Sequence, residues 1–161
     1  MVLAALHLLA AALYLGGSLT LGVAILPAFR GEGGAGQRAT LARILRVAHP
    51  LSLGCLGVLV LTGAAGVTAL KDRYAGEFAA RWFGLLGLKL LLVFVLLLLA
   101  SYEFFGLGLR LTRAVPGEAV GEGGLAPGVH ARIVARLQTV ALANGLLAAA
   151  ASAVGMLLAR G

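Results

Sequence analysis

Little in this chain can carry charge. Only 6 of its 161 residues are Asp or Glu and 13 are Lys or Arg, a charged share of 12%, about half that of an ordinary soluble domain. One cysteine, Cys55, excludes an internal disulfide and any multi-cysteine zinc or iron–sulfur centre. Beyond Met1 there is one methionine, Met156, so a copper(I) carrier built on thiolate and thioether ligands lacks its donors. Copper would have to be held by histidine. The absence of CxxCH excludes covalent c-type heme attachment. No P-loop, GxSxG or HExxH occurs, which removes nucleotide-driven transport and the common hydrolases.

What the chain has is apolar length. Hydrophobic residues make up 61% and mean hydropathy is +1.03, too apolar for the surface of a soluble globule. Four hydrophobic stretches, at about 2–29, 48–70, 82–109 and 135–159, account for almost every residue. The expectation is one all-α domain over 1–161, an integral membrane four-helix bundle of up-down topology with the lipid bilayer as its main partner. A basic run with Arg38, Arg43 and Arg46 reads as an interfacial helix leading into the second span. Arg81 and Trp82 stand where an interfacial anchor belongs. A glycine- and proline-rich connection over 116–127 precedes the fourth span.

The net charge of +7 reads as a topology signal and not as a nucleic-acid surface. The first and third connections with their flanks hold Arg30, Arg38, Arg43, Arg46, Arg110, Arg113, Arg132 and Arg136. The other side holds Lys71, Arg73, Arg81 and Arg160. That excess puts both termini outside. Met1 runs into apolar residues without a basic leader and without a small-residue cleavage site, so the first segment is expected to remain as a helix.

Ionisable residues within a span are expensive and mark function or pairing. His7, Lys89 and Glu103 qualify. In an up-down bundle the first and third spans are parallel, so His7 and Lys89 fall at similar depth and can meet. A histidine at that depth suits a metal or heme iron, or an interhelical hydrogen bond. Lys89 suits a propionate or substrate carboxylate, or it snorkels to the interface. Glu103 lies fourteen residues beyond Lys89, roughly 21 Å along the helix, at a level expected to hold His49 and His130 as well. Its alternative is a pairing with Arg110. His49 and His130 are thus further candidate metal ligands. Tyr14 and Ser18, Thr62 and Gly63, and Gln138, Gly145 and Ser152 beside Asn144 mark the faces that turn inward, chiefly as packing.

LHLLAAALYLGGSLTLGVAILPAF (Leu6 to Phe29) resembles the first helix of the CopD-like membrane domain, where an early histidine is followed by an aromatic-Gly-Gly. RILRVAHPLSLGCLGVLVLTGAAG (Arg43 to Gly66) and WFGLLGLKLLLVFVLLLLA (Trp82 to Ala100) are similar to its second and third helices, the lysine of the latter being Lys89. The same His-plus-Lys arrangement occurs in HemJ-type protoporphyrinogen oxidases. The resemblance implies a bundle in a bacterial inner membrane that binds heme b, with copper as the alternative, in a redox or metal-handling role. It implies His7 as ligand, Lys89 as its polar partner and Tyr14 beside the cofactor. The oxidase reading would make His7 a ligand or base, Lys89 the holder of a substrate carboxylate and a porphyrin the substrate. Lys89 and Glu103 are the candidate catalytic residues, but Glu103 departs from HemJ proteins, which carry a histidine after the aliphatic run. Small-residue faces suggest a homodimer, and a redox role calls for a partner protein. A structural subunit of a membrane complex, with the polar residues satisfying one another, is the remaining alternative.

Overall fold

A computed structural model describes residues 2–31, 34–74, 78–113 and 128–160. In lipid every backbone polar group must find its partner within the chain, and apolar runs without competing polar side chains meet that demand as helices. The described residues contain helices and no strand. The four rods are α1 (Val2–Ala28), α2 (Ala35–Tyr74), α3 (residues 78–113) and α4 (Val129–Arg160). Each is long and apolar enough to cross a membrane, and the chain is an all-α four-helix bundle. The connection expected over 116–127 lies largely outside the described residues, as do the side chains of Arg81 and Trp82.

Helix boundaries differ from those expected. The arginine run and the second span form one helix of 40 residues with Pro50 inside it, about 60 Å at 1.5 Å per residue. That is twice the hydrocarbon thickness. Likewise α4 starts at Val129, ahead of the expected 135. At the α1–α2 corner, the Gln37 side-chain amide donates to the Ala28 carbonyl at 3.3 Å, tying the two helices together. Two stretches are π-helical: Thr20–Ile25 in α1 and Tyr102–Gly108 in α3. Such widened turns bond i to i+5 and occur mostly at functional positions.

Around the bundle, α1 packs on both α2 and α4, and α3 packs on α4. Contact between α2 and α3 is the sparsest of the four neighbouring pairs, and the buried core of all four helices lies toward the arginine-rich end. There Leu26, Leu45, Leu107, Val134 and Leu137 form the tightest core, followed by a middle layer of Tyr14, Cys55, Leu56, Leu96 and Ala100. Among residues 83–95 of α3 none is buried, and among 57–69 of α2 only Thr62 is. At the end that carries His7, then, α2 and α3 leave nearly all of their described residues exposed or half-buried, and this is the open end of the bundle in that sense alone.

Close approach of α1 and α4 uses glycine at Gly22 and at Gly145, where an added Cβ would stand 2.9 Å from the Leu19 side chain. A Cβ on Gly22 would stand 2.8 Å from the Leu142 side chain and 3.3 Å from its backbone nitrogen, whereas one on Gly57 would meet nothing within 4 Å. Overpacking of a fitted interface costs about 1–3 kcal/mol. Gly22→Val is expected to lower the unfolding free energy in detergent by that amount, with Gly57→Val close to wild type. Equal stability of the two variants would contradict the packing described.

Candidate functional site

The polar side chains of the bundle interior fall into two separate groups. The first is at the open end. His7 on α1 faces α2, where its Nδ1 lies 2.7 Å from Thr62 Oγ1, and a Cβ on Gly63 would be 3.7 Å from the ring. Thr62 Oγ1 is also 2.6 Å from the Val58 carbonyl oxygen. A carbonyl only accepts and a hydroxyl has a single hydrogen, so with that hydrogen given to Val58, Thr62 accepts from His7. In that arrangement Nδ1 carries the proton, and in the neutral ring Nε2 keeps its lone pair. Fixing one ring nitrogen in this way is how proteins set the tautomer and orientation of a ligating histidine.

Lys89 approaches the same region from α3. Its Nζ would be 3.1 Å from a Cβ on Gly155 of α4, so the missing side chain there makes the room that the ammonium uses. The charge lies near enough to act on the His7 ring electrostatically. His7 and Lys89 are thus within electrostatic range of each other, but each is held by a different helix, His7 by α2 and Lys89 by α4.

The second group is deeper and more enclosed. Glu103, 9% exposed, sits on the π-helical stretch of α3 and accepts a hydrogen bond from Asn144 Nδ2 of α4 at 2.7 Å. Asn144 is fully buried. His49 of α2 presents Nε2 to the other carboxyl oxygen at 3.8 Å, too far for a hydrogen bond. The His49 ring stands edge-on to Phe104, centroids 5.7 Å apart. Between these groups and Tyr14, Ser18 and Ser52 is a cavity of about 20 Å³, enough for one water. His49 Nε2, on the wall of this cavity, is buried without a hydrogen-bond partner in the protein, as is Asn144 Oδ1 behind Glu103.

Three sequence expectations change here. His130 does not join Glu103 and His49. It lies fourteen residues from Asn144 on the same helix, roughly 21 Å away, and its charged neighbour is Arg38. Tyr14 lines the Glu103 cavity and not the surroundings of His7. Arg110 is exposed and does not pair with Glu103, because the π-helical turn between them takes the two residues off a common face. The three histidines occupy three levels, and among the described residues no group of three or more His, Cys, Asp or Glu could share a metal ion. Asn144 and Thr62, read from sequence as packing, are the residues that orient Glu103 and His7. A buried asparagine beside a membrane glycine is the one signal that could have pointed to Asn144.

Comparison with protein-family models, with curated proteins and with solved structures finds no match to this chain. The likeness to CopD-like and HemJ-type proteins thus rests on the three motifs quoted above.

Removing the Asn144 donor leaves a buried carboxyl oxygen unsatisfied, which costs about 1–3 kcal/mol. Asn144→Leu is expected to lower stability in detergent by that much, and Glu103→Gln in the same background to recover part of it. Additive losses in the double variant would mean that the two side chains are not coupled.

Proposed function

We propose that this chain is a membrane protein that holds heme b at the open end of the bundle and serves a redox role. The observation that carries the reading is the contact of His7 Nδ1 with Thr62, whose hydroxyl also lies on the Val58 carbonyl: with Nδ1–H donating to Thr62, Nε2 keeps a lone pair for a ligand. One nitrogen donor with its partner nitrogen anchored is the minimum a b-type heme asks of a helical bundle. Lys89 supplies a cation within electrostatic range of His7, suited to a propionate. The exposed apolar residues of α2 and α3 at that end, Leu61 at 73% and Phe83 at 76%, suit the faces of a porphyrin. Bound heme would supply reversible one-electron chemistry at iron. His7 would hold and orient the group, Thr62 would fix the ring, and Lys89 would neutralise carboxylate charge. Copper is less well served, because the histidines stand one to a level and each would offer a single nitrogen.

By the distribution of arginine, the arginine-rich end faces the cytoplasm and both termini face outward, as in a bacterial inner membrane. Open space above Gly54, Gly57, Gly84 and Gly87 supports close approach of a second copy or of a redox partner in lipid.

The test is an absorption spectrum of protein expressed with ample heme, oxidised and dithionite-reduced, with metal analysis of the same sample. The expected result is a Soret band with reduced α and β bands, lost in His7→Ala. Thr62→Val should keep the band but weaken heme affinity by about 10- to 100-fold, the usual effect of losing a ligand's supporting hydrogen bond. Wild-type protein without heme bands, or a His7→Ala variant that keeps them, would overturn the assignment. Stoichiometric copper without heme would move the function to copper handling.

A further inference from the structure

The Glu103 cavity does not stand alone. A second cleft of about 190 Å³ opens between α2 and α3 toward the arginine-rich end, bordered by Arg46, Pro50, Gly108 and Thr112. His49 and Phe104 line both spaces, so the imidazole is part of the wall between them. Its two nitrogens face different sides. Nε2 is directed at Glu103 Oε1, while Nδ1 faces Gly108, where an added Cβ would run into the ring. Gly108 borders the cleft and not the cavity. Glycine at this position leaves the Nδ1 edge of the ring uncovered.

We infer that Glu103 is a proton-binding site in the membrane that exchanges with the aqueous phase at the arginine-rich end, through His49 and one water in the cavity. Histidine chains with carboxylates are the usual carriers of protons at membrane depth. An incoming proton from the cleft adds to Nδ1 of the neutral ring, and the imidazolium releases the proton on Nε2 through the water to Glu103 Oε1. The carboxylate becomes a carboxylic acid, and no other bond changes. The reverse transfer returns the proton to the cleft and restores the original tautomer. The Tyr14, Ser18 and Ser52 hydroxyls on the cavity wall give the water further places to bond, within the two to four partners it needs.

The charged and titratable groups facing Glu103 are few. From α1 it is Tyr14, which acts on it electrostatically. From α2 it is His49, with Arg46 across the cleft, where the guanidinium donates to the Thr112 carbonyl at 3.4 Å. From α4 it is Asn144, with Gln138 further along, both neutral. On α3 itself Arg110 is exposed. The route therefore passes through one titratable side chain, and blocking that side chain should block the exchange. The inference is independent of what His7 holds.

The experiment is infrared difference spectroscopy of the full chain in lipid nanodiscs, following the carboxylic-acid C=O stretch as bulk pH is varied and after a rapid pH jump. The expected result is a band that grows as pH falls in wild type and is missing in Glu103→Gln. In His49→Gln the band should respond to the jump about 100-fold more slowly, the usual loss when a positioned proton carrier is removed. Gly108→Ala, which leaves both groups in place but displaces the ring, should also slow the response. Circular dichroism on the same samples confirms the helices. A band insensitive to pH in wild type, one that persists in Glu103→Gln, or an unchanged rate in both His49→Gln and Gly108→Ala would each overturn the inference.

Discussion

The hydrogen bond from Asn144 to Glu103 is the contact on which the interior depends. A carboxyl group at membrane depth has no water to turn to, so it must be met by a donor from a neighbouring helix. Asn144 meets it at 2.7 Å with no exposure of its own. That bond sets the register of α3 against α4, and the register determines what else lines up. It brings the π-helical turn of α3 under α2, so that His49 faces the remaining carboxyl oxygen at 3.8 Å. Fourteen residues back along α3, the same register puts Lys89 against Gly155.

From that layer the bundle runs in two directions with different character. Toward the arginine-rich end, leucines such as Leu45 and Leu137, both fully buried, close all four helices into one core. Toward the other end most side chains of α2 and α3 stay exposed. A lipid chain, a second copy or a flat apolar cofactor can cover such a surface, because lipid tails give helices no hydrophobic incentive to close on their own. His7 and Lys89 stand at this end, held by Thr62 and by the gap at Gly155. Enclosure suits the carboxyl group, and access suits the histidine.

Much of the fold was legible in the sequence, because four long apolar stretches admit few alternatives in lipid. That Lys89 comes within electrostatic range of His7 was also legible, since both lie near the start of parallel spans. Depth at the opposite end was not. His130 was expected beside Glu103 because the fourth span was taken to begin near 135. The helix begins at Val129, and the arginine-rich end extends well past the hydrocarbon, so His130 lies far from the carboxyl group. Hydropathy cannot find such an extension, because helix can continue where polarity returns. The π-helical turns were likewise hidden, as leucine- and glycine-rich sequence accommodates either turn width. They change which residues share a face, which is why Arg110 looked like a partner for Glu103. Asn144 looked like packing because its partner is 41 residues away, a separation that periodicity does not report.

Both halves of the functional reading depend on how hydrogens are distributed at histidines in a low-dielectric interior, and for His7 that distribution can be observed directly. Solid-state nitrogen NMR of protein labelled at histidine, prepared without added heme and compared with Thr62→Val, reports which ring nitrogen carries hydrogen. The predicted result is a His7 signal with hydrogen on Nδ1 and a bare Nε2, changed by the Thr62 substitution. Hydrogen on Nε2 in the wild-type ring, with Nδ1 bare, would contradict the Thr62 hydrogen bond and remove the free donor on which the cofactor site is built.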